Sequence, residues 1–81
     1  MAVMNAGKLA LLHYLTQVSD ASAADVAAAL HIALPAASMR LLRLVRGGLA
    51  GRAWDAQRRV YFYAITPRGQ ARVNFFAARR P

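Results

Sequence analysis

A pair of glycines, Gly47 and Gly48, separates two parts of this chain that have different hydrophobic periods. Before the pair, apolar residues recur at the spacing of amphipathic helices, and after it apolar and polar residues alternate as they do in strands. Because glycine readily adopts the left-handed conformation that closes a helix, the pair also predicts where the last of these helices ends. The chain is therefore expected to place helices before this pair and a β-hairpin directly after it.

Two helices are predicted in the first third of the chain, over residues 5–18 and 23–31. Ser22, three residues before Asp25, forms a capping box that marks the start of the second helix. The inward-facing residues of the two helices are expected to be Leu11, Leu12, Leu15, Val18, Val26 and Leu30.

A third helix is predicted over 35–46, with Pro35 at its first position, where a missing N–H is tolerated. Leu34 before it offers no side-chain cap. At 100° per residue the helix has two distinct faces. The inner face is expected to contain Leu34, Ala37, Leu41, Leu42 and Val45. The outer face is expected to contain Ala36, Met39, Arg40, Arg43 and Arg46.

Two strands are predicted over 49–55 and 59–66, and we assume a four-residue loop that pairs Trp54 with Arg59. One face of this hairpin is expected to join the core, and it contains Leu49, Ala53, Val60, Phe62 and Ala64. The other face is expected to be mostly exposed, and it contains Arg52, Trp54, Arg59, Tyr61 and Tyr63.

A last helix is predicted to begin at Thr66 and Pro67, to include Val73 and Phe76, and to fray toward Pro81. The resulting order of three helices, two strands and a helix is that of a winged helix-turn-helix. This fold is α+β and mostly α, with a three-helix core, a β-hairpin wing and a C-terminal helix. The first strand of its usual three-stranded sheet is expected to be short or missing. Residues 1–81 are enough for a single domain of this kind.

The charge of the chain indicates a polyanionic partner. All of the 11 Lys and Arg residues except Lys8 lie at or after Arg40, and the formal net charge is +8. In a helix-turn-helix the second helix, here 35–46, enters the major groove of DNA. Its arginine face contains no acidic residue, whereas an ordinary solvated face mixes both signs. The alternative is that these arginines only keep an amphipathic helix soluble.

Seven residues of the third helix are predicted to contact double-stranded DNA: Ala36, Ala37, Ser38, Met39, Arg40, Arg43 and Arg46. The small residues at its start allow close approach to the groove floor. Arg40 is the best candidate for reading a base edge, most often guanine. Arg43 and Arg46 lie further along the helix and are expected to meet phosphates.

The segment 52–69, RAWDAQRRVYFYAITPRG, resembles the wing of the MarR family of bacterial transcription regulators. Arg58 and Arg59 match the arginine pair at the hairpin tip, and Ile65 to Gly69 match a Leu-Thr-x-x-Gly element with Ile for Leu. Segment 41–52, LLRLVRGGLAGR, is similar to the end of the family's recognition helix and the entry to its wing. Gln57 departs from the family pattern, because an Asp that orients the tip arginine is usual there and this chain has Asp55 two residues earlier.

The resemblance implies sequence-specific DNA binding as a transcription regulator. It implies that Arg59 inserts in the minor groove and that Arg58 meets phosphate; Arg52 and Arg68 complete the predicted DNA-binding residues. MarR proteins are longer than this chain because helical arms at both ends build their dimer and a ligand pocket, so the response to small molecules carries over less well. A homodimer through the first and last helices is still expected, with Phe75 or Phe76 in its interface.

Other classes of function are disfavoured. The absence of Cys excludes disulfides, thiolate catalysis and cysteine-bound zinc, and His13 and His31 have no nearby Glu or Cys, so no metal and no cofactor are expected. Three Asp and no Glu leave no evident acid and base pair for an enzyme. Without a secretion signal or a large apolar helical face, a cytoplasmic protein that does not bind membranes is expected.

A protein-interaction or RNA-associated module on the same scaffold is the alternative function. Trp54, Tyr61 and Tyr63 could form a stacking platform for unpaired bases. The simpler interpretation is that these aromatic residues pair across the strands, with Arg52 over Tyr61.

Overall fold

The computed structural model describes residues 6–78, which form four helices and one antiparallel hairpin. The elements are α1 (Ala6–Thr16), α2 (Ala23–Leu30), α3 (Leu34–Arg46), β1 (Ala50–Asp55), β2 (Val60–Ile65) and α4 (Pro67–Ala78). This is the order of the predicted winged helix-turn-helix, and the fold class is confirmed. The predicted start of the first helix at residue 5 and the fraying of the last helix at 79–81 lie outside the described residues.

The capping box predicted for α2 is present. The Ser22 hydroxyl accepts a hydrogen bond from the Asp25 N–H at 3.2 Å, and the Asp25 carboxylate accepts one from the Ser22 N–H at 3.0 Å. α2 ends one residue before the predicted end because His31 adopts a left-handed conformation, with φ 55°. α3 then leaves at 113° to α2, an angle typical of a helix-turn-helix.

α3 begins one residue earlier than predicted, so Pro35 is its second residue and Ala33 takes the cap position without a side-chain hydrogen bond. The expectation for Leu34 is wrong, because this side chain is 51% exposed. The buried residues of α3 are Ala37, Leu41 and Leu44. Their spacing of four and three residues is that of a core stripe, and Leu34 lies one turn before this stripe begins.

The core is formed where three helices meet. Its fully buried large side chains are Leu11, Leu12, Leu15, Val26, Leu41 and Leu44. Each such side chain stabilises the fold by about 1.5–3 kcal/mol relative to an exposed one. α1 ends at Thr16, two residues before the predicted end, and Val18 still packs against the core from the following turn. The inner faces predicted for α1 and α2 are therefore confirmed.

The hairpin has a four-residue loop, 56–59, as assumed, but the loop lies one residue further along the chain. Trp54 therefore pairs with Tyr61, and the predicted pairing of Trp54 with Arg59 is wrong. Asp55 explains the shift, because its carbonyl accepts a hydrogen bond from the Arg59 N–H at 2.7 Å and closes the turn. Arg59 lies inside the turn at φ 57°, a left-handed conformation that no glycine is present to supply.

The predicted choice of core face in the hairpin is also wrong. Ala53 is exposed and Phe62 only half-buried, whereas Ala50 and Tyr63, on the opposite face, belong to the core. The alternation separates the two faces of the strands correctly, and of the residues expected on the core face only Leu49 is fully buried. Leu49 is buried yet precedes β1, so its position does not report which face of the strand meets the helices.

The first strand of the usual three-stranded sheet is reduced to one residue. Ala21 and Tyr63 exchange two backbone hydrogen bonds of 2.9 and 2.8 Å as an isolated bridge. This bridge fastens β2 to the segment before α2. The expectation of a short or missing first strand is confirmed.

Candidate nucleic-acid interface

The arginine face of α3 is exposed and not neutralised. Arg40, Arg43 and Arg46 are all exposed, and between the described residues no ion pair involves any of them. The opposite face of α3 is buried in the core, and this burial fixes the backbone from which the three arginine side chains project. This is a rigid cationic surface, which suits a polyanion.

The other four predicted residues of α3 differ in exposure. Ala36 and Ser38 are half-buried, and Met39 is exposed. Ala37 is 0% exposed, so its side chain belongs to the core and not to the exposed face of α3. It lies on the core stripe one turn before Leu41, where its small side chain packs between helices.

The predicted wing-tip arginines are both exposed, and Asp55 organises the turn that carries them. Its Oδ1 accepts hydrogen bonds from the N–H groups of Gln57 and Arg58 at 2.9 and 3.1 Å. Its Oδ2 lies 4.0 Å from Nε of Arg58. Among the described residues, the Asp55 carboxylate thus lies near Arg58, at the outer limit of an ion pair, and not near Arg59.

The aromatic residues pair across the strands, as the simpler interpretation predicted. The rings of Trp54 and Tyr61 lie 5.0 Å apart, edge to face, and the Arg52 guanidinium lies 4.1 Å from the Tyr61 ring centroid. Tyr63 is buried, so a stacking platform of all three aromatic residues is wrong. Arg52, predicted to bind DNA, is exposed but engaged with this ring.

The element 65–69 joins the wing to the end of α3. The Thr66 hydroxyl donates a hydrogen bond to the Gly48 carbonyl at 2.7 Å and accepts one from the Gly69 N–H at 3.1 Å. A Cβ on the buried Gly69 would overlap the Leu49 carbonyl oxygen, so only glycine fits there. These contacts give the Thr-x-x-Gly pattern a structural reason, because they fix where the hairpin leaves α3.

Arg68 lies beside the turn that ends α3. It is exposed, and its guanidinium lies next to Gly48: a Cβ added to Gly48 would be 3.6 Å from Nη1 of Arg68. Gly48 adopts φ 76°, the left-handed conformation expected at a helix end. Arg68 therefore adds a cation between α3 and the wing.

Lys8 is a further cation near the arginine face of α3, and it is not among the site residues predicted from the sequence. This residue of α1 lines a cavity together with Arg40 and Arg43 of α3, more than thirty residues away in the chain. Its single positive charge within an apolar helix carried no signal that it shares a cavity with α3, because that arrangement depends on the tertiary fold.

Two features of the described part of the chain bear on metal binding and on membrane insertion. Within residues 6–78, no group of three or more His, Asp or Glu side chains could hold a metal ion. No single helix in that range is long and apolar enough to cross a membrane; α2 and α3 together reach the required length and composition but are bent by 113°.

Comparison with known proteins places this fold. No model of a protein family matches the chain, and no curated protein matches it. Among solved structures, a mutant of S. aureus MepR is 28% identical, with a TM-score of 0.85 over 93% of this chain. A mutant of E. coli MarR complexed with operator DNA is 21% identical, with a TM-score of 0.81 over 88% of this chain. Streptococcus pneumoniae FabT in complex with DNA is 20% identical, with a TM-score of 0.82 over 93%.

The match is to part of each of those proteins, since this chain spans 56% of MepR, 51% of MarR and 53% of FabT. This chain has the winged helix-turn-helix fold of MarR-type transcription regulators and resembles their DNA-binding domain.

Proposed function

We propose that this chain binds double-stranded DNA sequence-specifically and regulates transcription, with α3 in the major groove and the hairpin 49–66 on the minor groove or backbone. The observation that carries the proposal is the exposed arginine face of α3, which no acidic residue of the described chain neutralises. The two DNA complexes among the structural neighbours support it, because both share the fold that presents this helix.

The residues of α3 divide by expected role. Arg40, nearer the start of the exposed face, reads a base edge, and the exposed Met39 beside it can make apolar contact with a thymine methyl group. Arg43 and Arg46 meet phosphates. Ala36 and Ser38 let the start of the helix approach the groove.

The wing contributes its tip arginines. Arg59 enters the minor groove and Arg58 meets phosphate, while Arg52 and Arg68 add positive charge along the hairpin and at its base. Asp55 restrains the Arg58 side chain on its own side of the turn, which supports a division of labour between the two arginines. We assign the chain no catalytic activity, and DNA binding fits the cytoplasmic location expected from the sequence.

The decisive experiment selects bound duplexes from a random pool and then measures affinity for the selected duplex at several salt concentrations. The log-log slope is expected to be about −0.9 for each phosphate contacted. Arg40→Ala should weaken binding by about 1–3 kcal/mol and relax sequence preference, whereas Arg43→Ala should weaken binding to all sequences alike.

Arg72→Ala is the matched control, because it removes one guanidinium from α4 and should leave both affinity and preference unchanged. If Arg40→Ala and Arg43→Ala bind the selected duplex as tightly as the natural chain does, the docking arrangement is wrong.

We also propose a homodimer formed through α1 and α4. The two helices lie side by side in the fold, and Phe75 of α4 exposes about half of its surface. A two-fold dimer would read a short palindrome with half-sites about one helical turn apart. Sedimentation that shows a strict monomer, with and without the selected duplex, would reject this interface.

A protein-interaction or RNA-associated module is the second candidate, and the exposed Trp54 and Tyr61 rings favour it. Competition between duplex DNA and structured RNA in one titration separates the two nucleic-acid functions. A partner retained after nuclease treatment, and lost in Trp54→Ala, would point to protein interaction instead.

A further inference from the structure

A cavity of about 450 Å³ lies between α1 and α3. It is lined by Gly7, Lys8, Leu11, Arg40, Arg43 and Leu44. Leu11 and Leu44 are buried residues of the core, so they close the inner side of the cavity. The three charged lining residues are all cations, and all three are exposed. The cavity therefore combines an apolar floor with a rim of a single charge sign.

The charges around this cavity favour an anion inside it. Like charges that share a site repel one another, and none of the described residues that line it is an Asp or a Glu. Arginine presents N–H donors in a planar fork, and lysine adds a compact point charge; both bind phosphate oxygens. Arg40 and Arg43 already belong to the face that we propose to meet DNA. A phosphate of the DNA backbone is therefore the anion that we expect at this cavity.

We propose that Lys8, Arg40 and Arg43 together hold one backbone phosphate of the bound duplex at this cavity. α1 then fixes the position of the protein on DNA alongside α3. Arg40 has five N–H donors, so it can contact this phosphate and a base edge together. The proposal rests on the proposed function, and it adds Lys8 to the DNA-binding residues.

Lys8→Gln tests the proposal, because Lys8 is exposed and its loss should leave the fold intact, which a thermal melt will verify. Affinity for the selected duplex is measured between 50 and 200 mM salt. The salt slope of Lys8→Gln should be smaller in magnitude than that of the natural chain by at most about 0.9, the value of one whole phosphate contact, because Arg40 and Arg43 still face that phosphate. Affinity should fall alike for all duplex sequences, since a phosphate contact carries no base information.

Two control variants accompany it. Lys8→Arg should restore the slope, because it returns the cation to the same place. Arg72→Gln should leave the slope unchanged, because Arg72 does not line the cavity. A slope for Lys8→Gln equal to that of the natural chain overturns the phosphate site while leaving the proposed function intact.

A second measurement keeps the two proposals distinguishable. If the natural chain binds no duplex, the proposed function is wrong, and so is the proposal that the cavity holds a phosphate of DNA. Titration with inorganic phosphate, followed by backbone amide shifts at Gly7, Lys8 and Arg43, then reports on the cavity alone. Shifts that disappear in Lys8→Gln support an anion site there, and their absence in the natural chain excludes one.

Discussion

The base and the tip of the hairpin share one sheet face but differ in what holds them. At the base, formed by Ala50, Tyr63 and Ile65, that face belongs to the core or packs against it, and Tyr63 is only 6% exposed. At the tip, formed by residues 54–61, Trp54 of the same face is 54% exposed. The hairpin therefore extends beyond the helices after about half its length.

This difference assigns separate tasks to the two ends. The base is held by buried packing, by the bridge to Ala21 and by the Thr66 hydroxyl. The tip is held by local contacts, the Asp55 turn and the Trp54–Tyr61 pair. Substitutions at the base should therefore change the free energy of unfolding, and substitutions at the tip should change DNA affinity with little effect on stability.

The largest effect is expected at Gly69. Gly69→Ala forces a Cβ against the Leu49 carbonyl and the Ile65 side chain, which should destabilise the fold by about 3 kcal/mol, the upper end of the usual effect of overpacking. For a domain of this size the melting temperature should fall by about 12 °C or more. Gly51→Ala is the control, because nothing lies within 4 Å of its added Cβ. Equal melting temperatures for the two variants would contradict the close packing of the base.

Thr66→Val comes next. Valine keeps the shape of threonine but neither donates to the Gly48 carbonyl nor accepts from the Gly69 N–H. Leaving these half-buried groups unpaired should destabilise the fold by about 1–3 kcal/mol in chemical denaturation. Thr66→Ser retains the hydroxyl and should lose less. A valine variant as stable as the natural chain would mean that packing alone holds the wing to α3.

The same contrast explains what could be predicted from sequence. The start of α2 depends on Ser22 and Asp25 alone, and the start of α4 on Thr66 and Pro67, so both were predicted to the residue. Local chemistry also gave the alternation of the strands. These features need only neighbours in the chain.

Features that depend on distant residues were not predictable in this way. The choice of buried hairpin face follows from how Tyr63 meets Ala21 and the helices, and the exposure of Leu34 follows from where α3 leaves the core. The shift of the hairpin register is the exception, because it depends on a local contact, in which the Asp55 carboxylate caps its own turn. That Lys8 and Arg43 line one cavity is likewise a consequence of the tertiary fold.

At the tip, Trp54→Ala removes an exposed ring that pairs with Tyr61. A cross-strand pair of this kind contributes about 0.2–1 kcal/mol, so the unfolding midpoint in denaturant should move only slightly. The Arg52 guanidinium keeps its contact with Tyr61. If Trp54→Ala destabilised the fold as much as Gly69→Ala, the tip would have to pack against the rest of the domain. The base and the tip of the hairpin would then not differ in how they are held.

Arg59→Gly is expected to have the smallest effect on stability. It also distinguishes most clearly between an effect on stability and an effect on DNA affinity. Arg59 occupies the left-handed region at φ 57°, which glycine adopts without strain. That relief is offset by the greater entropy of glycine in the unfolded chain, so the net change should stay within about 0.5 kcal/mol. Affinity for the selected duplex should nevertheless fall, because the guanidinium proposed for the minor groove is gone. Arg59→Lys keeps the charge but not the planar fork, and it should recover salt-dependent affinity more than sequence preference. If the glycine variant binds as tightly as the natural chain, the exposed tip does not touch DNA, and the recognition helix acts without it.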